Sequence, residues 1–180
     1  KLNKIKSCKE DIKQAIIDKG VDMTGISLEG YATKISEIQS EGGDYLDMII
    51  NMSTYYSTAA YIPSYAFAYC TALQSVNLPN CVKTGMGVFS SCTALQSVNL
   101  PNVRTTDRYT FDNCKSLQSV DLPNCNILSG QNTFNSCTAL QSVNLPNCVE
   151  ICNYCFQDCY NLTTVNLPKV ITAQGQNTFK

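Results

Sequence analysis

One ten-residue string, TALQSVNLPN, occupies 71–80, 93–102 and 138–147, and two variants, KSLQSVDLPN and YNLTTVNLPK, occupy 115–124 and 160–169. The steps between them are 22, 22, 23 and 22 residues. A unit that short cannot close a core of its own, and it is too short for a propeller blade or a two-helix repeat. It fits one coil of a solenoid, whose core forms only when neighbouring coils stack.

The columns of the repeat carry the physics. Leu73, Leu95, Leu117, Leu140 and Leu162 lead the units, Val76, Val98, Val120, Val143 and Val165 come three later, and Leu78, Leu100, Leu122, Leu145 and Leu167 two after that. The last two apolar positions are spaced by two, which puts them on one face of a strand. A proline at 79, 101, 123, 146 and 168 ends each strand, because it lacks a ladder donor. The return path is patterned as well. Phe67, Phe89, Phe111, Phe134 and Phe156 recur behind a small residue (Ala66, Val88, Thr110, Thr133, Cys155), and Phe179 opens a sixth unit. A second inward column runs Ala59, Cys81, Val103, Cys125, Cys148 and Val170. A third runs Ile62, Thr84, Thr106, Leu128, Ile151 and Ala173, in which a buried Thr84 or Thr106 needs a hydroxyl partner. One extra residue within 124–133 accounts for the long step.

The chain contains 11 cysteines. Cys70, Cys92, Cys114, Cys137 and Cys159 fall in one core column, and most of the others exchange with Ala, Val or Thr, which points to packing as small apolar groups. Reduced thiols are expected, since stacked inward side chains sit near the strand spacing of about 4.8 Å, wider than bridged Cβ atoms prefer. Cys148, Cys152, Cys155 and Cys159 read C-x3-C-x2-C-x3-C and could hold zinc only if all four converge. Three of them already belong to columns facing different parts of the coil, so no metal and no cofactor is assigned. The chain has no His, and no cationic group stands ready to activate a thiol, so no catalytic residue is assigned either.

Charge divides the chain. Residues 1–50 hold 16 of its 27 acidic and basic side chains. Ser7 and Glu10 fit a capping box for a helix bearing Cys8, Ile12, Ala15 and Ile16, which Gly20 would end. A second apolar stripe runs Leu28, Tyr31, Ala32, Ile35 and Ile38. The expected organisation is a helical hairpin over 1–41, a hinge at Gly42-Gly43 with a capping helix over 42–58, and repeats over 59–180. The fold class is thus an α/β-type repeat solenoid preceded by a small helical hairpin. The hairpin is either a cap or an attachment element. A net charge of −1 offers nucleic acid no counterion-releasing surface, and no run is long and apolar enough for membrane insertion. No signal peptide is visible after Lys1. The chain stops at Phe179-Lys180 as a coil begins, with no polar cap in sight. Truncation, or burial against a second copy or a larger assembly, is the expectation there.

These columns resemble the BspA-like leucine-rich repeats, whose unit has a small residue and Phe, then Cys, then a Leu-Val-Leu strand ending in Pro. Ala66-Phe67, Cys70, Leu73, Val76, Leu78 and Pro79 match it, as do their equivalents down the chain. The family's usual Ile-Gly pair is only half kept, by Gly85 in Thr84-Gly85 and by Ile151 in Ile151-Cys152, so looser packing is expected there. The resemblance implies a right-handed solenoid with a parallel β-sheet on one face. It also implies an extracellular or cell-surface adhesion role without catalytic residues. Residues 1–40 are similar to short stretches of phage tail-type proteins, which leaves a tail-assembly component in a virion as the alternative.

The outward strand positions are the candidate binding face for a protein or glycan. One ladder is Ser75, Ser97, Ser119, Ser142 and Thr164, and the other is Asn77, Asn99, Asp121, Asn144 and Asn166. The face is polar, lacks aromatics, and carries one charge, Asp121. A plain solvated sheet would look the same. A tyrosine group at Tyr55, Tyr56, Tyr61, Tyr65 and Tyr69 is either packing for the cap or a contact patch.

Overall fold

The computed structural model describes residues 56–173 together with 178 and 179. The expected helical hairpin over 1–41, and all but the last three residues of the hinge and capping helix expected over 42–58, lie outside the described residues. Each coil contributes two short strands. The odd-numbered ones are β1 (Tyr61–Ile62), β3 (Lys83–Thr84), β5 (Thr105–Thr106), β7 (Ile127–Leu128), β9 (Glu150–Ile151) and β11 (Thr172–Ala173). The even-numbered ones are β2 (Ser75–Asn77), β4 (Ser97–Asn99), β6 (Ser119–Asp121), β8 (Ser142–Asn144) and β10 (Thr164–Asn166). All pairing is parallel, and like stands over like: Val76 pairs with Val98, Val120 with Val143, and Val143 with Val165.

The even strands carry the leucine–valine–leucine motif, as the spacing predicts. The odd strands are a second parallel sheet of six strands, β1-β3-β5-β7-β9-β11, where the sequence pointed to one sheet only. Its inward side chains are the third column, from Ile62 to Ile151, and its outward ones run Tyr61, Lys83, Thr105, Ile127, Glu150 and Thr172. Strands of two residues are too short to display alternation, so the sequence showed the inward column without revealing a strand.

The helical part of an α/β solenoid has no counterpart in the coils, because 59–173 contain no α-helix. The return arm is held instead by backbone bonds to the next coil. Tyr65 N–H donates to Met86 O at 2.8 Å, Phe67 N–H to Val88 O at 2.9 Å, and Tyr69 N–H to Ser90 O at 2.7 Å. The same three bonds recur from Gly87, Phe89 and Ser91. A left-handed residue stands two before and two after the phenylalanine, as at Tyr65 (φ 60°) and Tyr69 (φ 61°), or Tyr109 (φ 60°) and Asn113 (φ 59°). Such residues prevent a right-handed helix from propagating through the arm.

The core is one shaft. Phe67, Phe89, Phe111, Phe134 and Phe156 are buried and stack with ring centroids 5.2–5.4 Å apart, and Phe179 continues the stack. Leu73, Leu95, Leu117 and Leu140 line up beside them, while Leu162 and Leu167 of the last coil are half-buried. Burying a side chain of this size contributes about 1.5–3 kcal/mol, and only stacking makes it possible. Thr84 Oγ1 meets Thr110 Oγ1 at 3.2 Å, whereas Thr106 Oγ1 is buried without a partner among the described residues. Register places the extra residue between Leu128 and Thr133, where Gly130 has φ 92°. Looser packing at the incomplete Ile-Gly pairs is not seen: Thr84, Gly85, Ile151 and Cys152 are all buried.

Candidate functional site

The even strands aim their Ser and Asn positions outward. Ser75, Asn77, Ser97, Asn99, Ser119, Asp121, Thr164 and Asn166 are exposed, and Ser142 and Asn144 half-buried. The asparagines are tied rung to rung. Asn99 Nδ2 donates to Asn77 Oδ1 at 2.7 Å, Asn144 Nδ2 to Asp121 Oδ1 at 2.9 Å, and Asn166 Nδ2 to Asn144 Oδ1 at 2.6 Å. All three bonds therefore run from an amide to the preceding coil. These contacts are exposed, so each adds little to stability, but together they hold the side chains in one orientation.

The ladder breaks once. A carboxylate has no donor, so Asp121 cannot repeat the bond to Asn99. The backbone breaks at the same place: β2 pairs with β4, and β8 pairs with both β6 and β10, while β4 and β6 lie side by side unpaired. Gln96 N–H donates to Gln74 O, Gln141 N–H to Gln118 O and Thr163 N–H to Gln141 O, but among the described residues no equivalent bond joins Gln118 to Gln96. Asn99 Oδ1 and the Asp121 carboxylate are both acceptors, so the ladder forms no bond across this step.

A second polar feature lies beyond the proline of each strand. An open groove of about 410 Å³ is lined by Asn80, Asn102, Asn124, Val82, Arg104 and Asn126. Asn102 Nδ2 donates to Pro79 O at 2.7 Å and Asn124 Nδ2 to Pro101 O at 2.8 Å, so the amides brace successive coils along the groove floor. This groove was not among the features expected from the sequence. The Pro-Asn pairs at 79–80, 101–102, 123–124 and 146–147 were its visible signal.

The thiols face inward. None of the ten described cysteines is in a disulfide, and all are buried. The core column does more than pack: Cys92 S–H donates to Phe67 O at 2.9 Å, Cys114 to Phe89 O at 3.1 Å, Cys137 to Phe111 O at 3.1 Å and Cys159 to Phe134 O at 3.0 Å. Each thiol thus links its coil to the one before, which neither Ala nor Val could do. Burial pushes these thiols up, Cys92, Cys114 and Cys137 well above the ordinary range and Cys159 to about 12. Cys152 runs the other way, to about 6, because Cys155 donates a hydrogen bond to its sulfur, against the burial that opposes ionisation. Its sulfur also lies 3.4 Å from Thr133 Oγ1. Among the described residues no three His, Cys, Asp or Glu side chains are grouped so as to hold a metal ion. Cys148, Cys152, Cys155 and Cys159 do not form a tetrahedral set. No long apolar helix suited to crossing a membrane occurs among the described residues.

The tyrosines divide. Tyr56 is buried edge-on to Phe67, with centroids 5.5 Å apart, and extends the phenylalanine stack; Tyr61 and Tyr69 are exposed. Tyr55 lies outside the described residues.

Solved structures share this architecture, among them these two. One is a leucine rich cell surface protein from Faecalibacterium prausnitzii A2-165, 25% identical with a TM-score of 0.56, over 66% of this chain and 31% of that one. The other is a leucine-rich repeat protein from Eubacterium ventriosum ATCC 27560, 26% identical with a TM-score of 0.58, over 65% of this chain and 33% of that one. The match spans about a third of the length of each. No curated protein matches the chain. The BspA type leucine rich repeat region matches residues 60–180 in six copies, and with stacked Phe, Cys and Leu columns filling those coils, the chain belongs to that family.

Proposed function

We propose that this protein is a non-enzymatic recognition module that binds a protein partner at a cell surface through the outward face of the even strands. One observation carries the reading: the Asn side chains of that face, with Asp121, are held rung to rung by hydrogen bonds of 2.6–2.9 Å, broken only between Asn99 and Asp121. A face ordered before binding loses less side-chain freedom on association. The cell-surface name of the F. prausnitzii structure supports the location, for that protein directly and for this one by likeness. The inward, buried thiols and the lack of His support a role without catalysis. The test is a binding screen against immobilised cell-surface and matrix proteins, followed by Asn77→Lys and Asn144→Lys on any hit. These exposed or half-exposed positions tolerate lysine without core change. Binding should weaken about tenfold or more, the 1.4 kcal/mol scale of one lost polar anchor. Unchanged affinity in both variants removes the face from the function.

A further inference from the structure

We infer that the step between Asn99 and Asp121 is a seat for a guanidinium group, so that the partner engages the ladder with an arginine of a basic segment. The inference rests on the proposed binding face and names the chemistry that face selects.

Along the ladder each amide spends its donor on the coil before and leaves its oxygen for the coil after. Asp121 has no donor to give, so among the described residues nothing donates to Asn99 Oδ1. The carboxylate takes one bond, from Asn144 Nδ2 at 2.9 Å, and keeps acceptor capacity over. Two acceptors thus stand on adjacent, unpaired strands, one of them bearing the face's only charge. Elsewhere the rungs satisfy one another.

What fits is a donor that is cationic and broad enough to bridge two adjacent, unpaired strands, which lie no closer than the roughly 4.8 Å of a paired rung. A guanidinium offers five N–H donors in a fixed planar fork and can address both oxygens together. An ammonium is a compact point charge and suits such a pair less well. A calcium ion takes about six to eight oxygen ligands, and this step supplies two side chains. The site is exposed, so a single ion pair there is modest, on the order of a few-fold to tenfold in affinity. It selects a partner more than it grips one.

The probe is a hexa-arginine peptide, with hexa-citrulline as its uncharged counterpart, titrated into the full chain and followed by NMR. The arginine peptide should shift the side-chain amides of Asn99 and Asn144 and the backbone of Asp121 first, and the citrulline peptide should not. Asp121→Asn restores an amide able to donate to Asn99. It should raise the melting temperature and weaken the peptide about five- to tenfold. Asp121→Asn combined with Thr164→Asp keeps the charge on the face but leaves the ladder closed, and it should stay weak. Equal response to both peptides, full binding by the combined variant, or a lowered melting temperature in Asp121→Asn would each overturn the inference. If the protein partner is lost on Asn77→Lys while the arginine peptide never binds, this inference fails and the proposed function stands.

Discussion

Raising the pH from about 7.5 to about 9.5 should strongly destabilise this protein. An unfolded thiol ionises near pH 8.5, whereas burial holds Cys92, Cys114, Cys137 and Cys155 well above their ordinary range in the fold. The folded state then keeps protons that the unfolded chain releases, so stability falls as pH climbs past 8.5. From pH 7.5 to 9.5 each such thiol costs about 1.4 kcal/mol, and the four together about 6 kcal/mol. Cys125, pushed up to about 12, acts in the same direction. Cys152, lowered to about 6, opposes them with a gain between about pH 6 and 8.5 that is lost on acidification, but it is one group against several. A domain typically has about 5–15 kcal/mol in total, so the loss is a large share of it. Urea unfolding followed by circular dichroism, in reductant at pH 7.5, 8.5 and 9.5, measures it. The midpoint should fall steeply over the upper interval, and Cys114→Ala should flatten the fall by about 1.4 kcal/mol. A midpoint equal at pH 7.5 and 9.5 would refute the reasoning, since it would mean that the thiols are not held protonated by the fold.

Two further substitutions probe the stack. Phe111→Ala, with rings at 5.3 and 5.2 Å on either side, should cost about 3–5 kcal/mol in urea unfolding, while Phe111→Leu keeps most of the volume and should cost about 1–3 kcal/mol for the lost ring contacts. Equal losses would mean that ring stacking adds nothing beyond filling space. Gly85→Ala places a Cβ 2.5 Å from the backbone nitrogen of Ser64, which cannot rotate aside, and should cost about 1–3 kcal/mol, seen as a lowered melting temperature.

The columns were legible because near-identical units, aligned, separate what repeats from what varies. Leu73 over Leu95 over Leu117 needed no coordinates, and the Ser-Val-Asn strands showed their alternation across three residues. The second sheet did not, since its outward positions (Tyr61, Lys83, Thr105, Ile127, Glu150, Thr172) share no chemistry. The cysteine column looked like packing because its hydrogen-bond partner is a backbone carbonyl some 25 residues earlier, invisible to side-chain patterns. Asp121 stood out by charge, but the gap beside it depends on the common direction of the amides, which only coordinates reveal. The left-handed positions gave no sign at all: Tyr, Ser, Asn and Asp occupy them, and glycine does so in one coil.

That indifference matters for how such a chain can diversify. A left-handed non-glycine residue costs roughly 1 kcal/mol, yet here the inter-coil bonds of the return arm impose the conformation whatever the side chain. Selection for shape has already been met by the backbone, so two sites per coil are released to carry aromatic, amide, hydroxyl or acid at will. A lineage could rewrite that rim in a few generations of substitution while leaving its shaft of phenylalanines untouched.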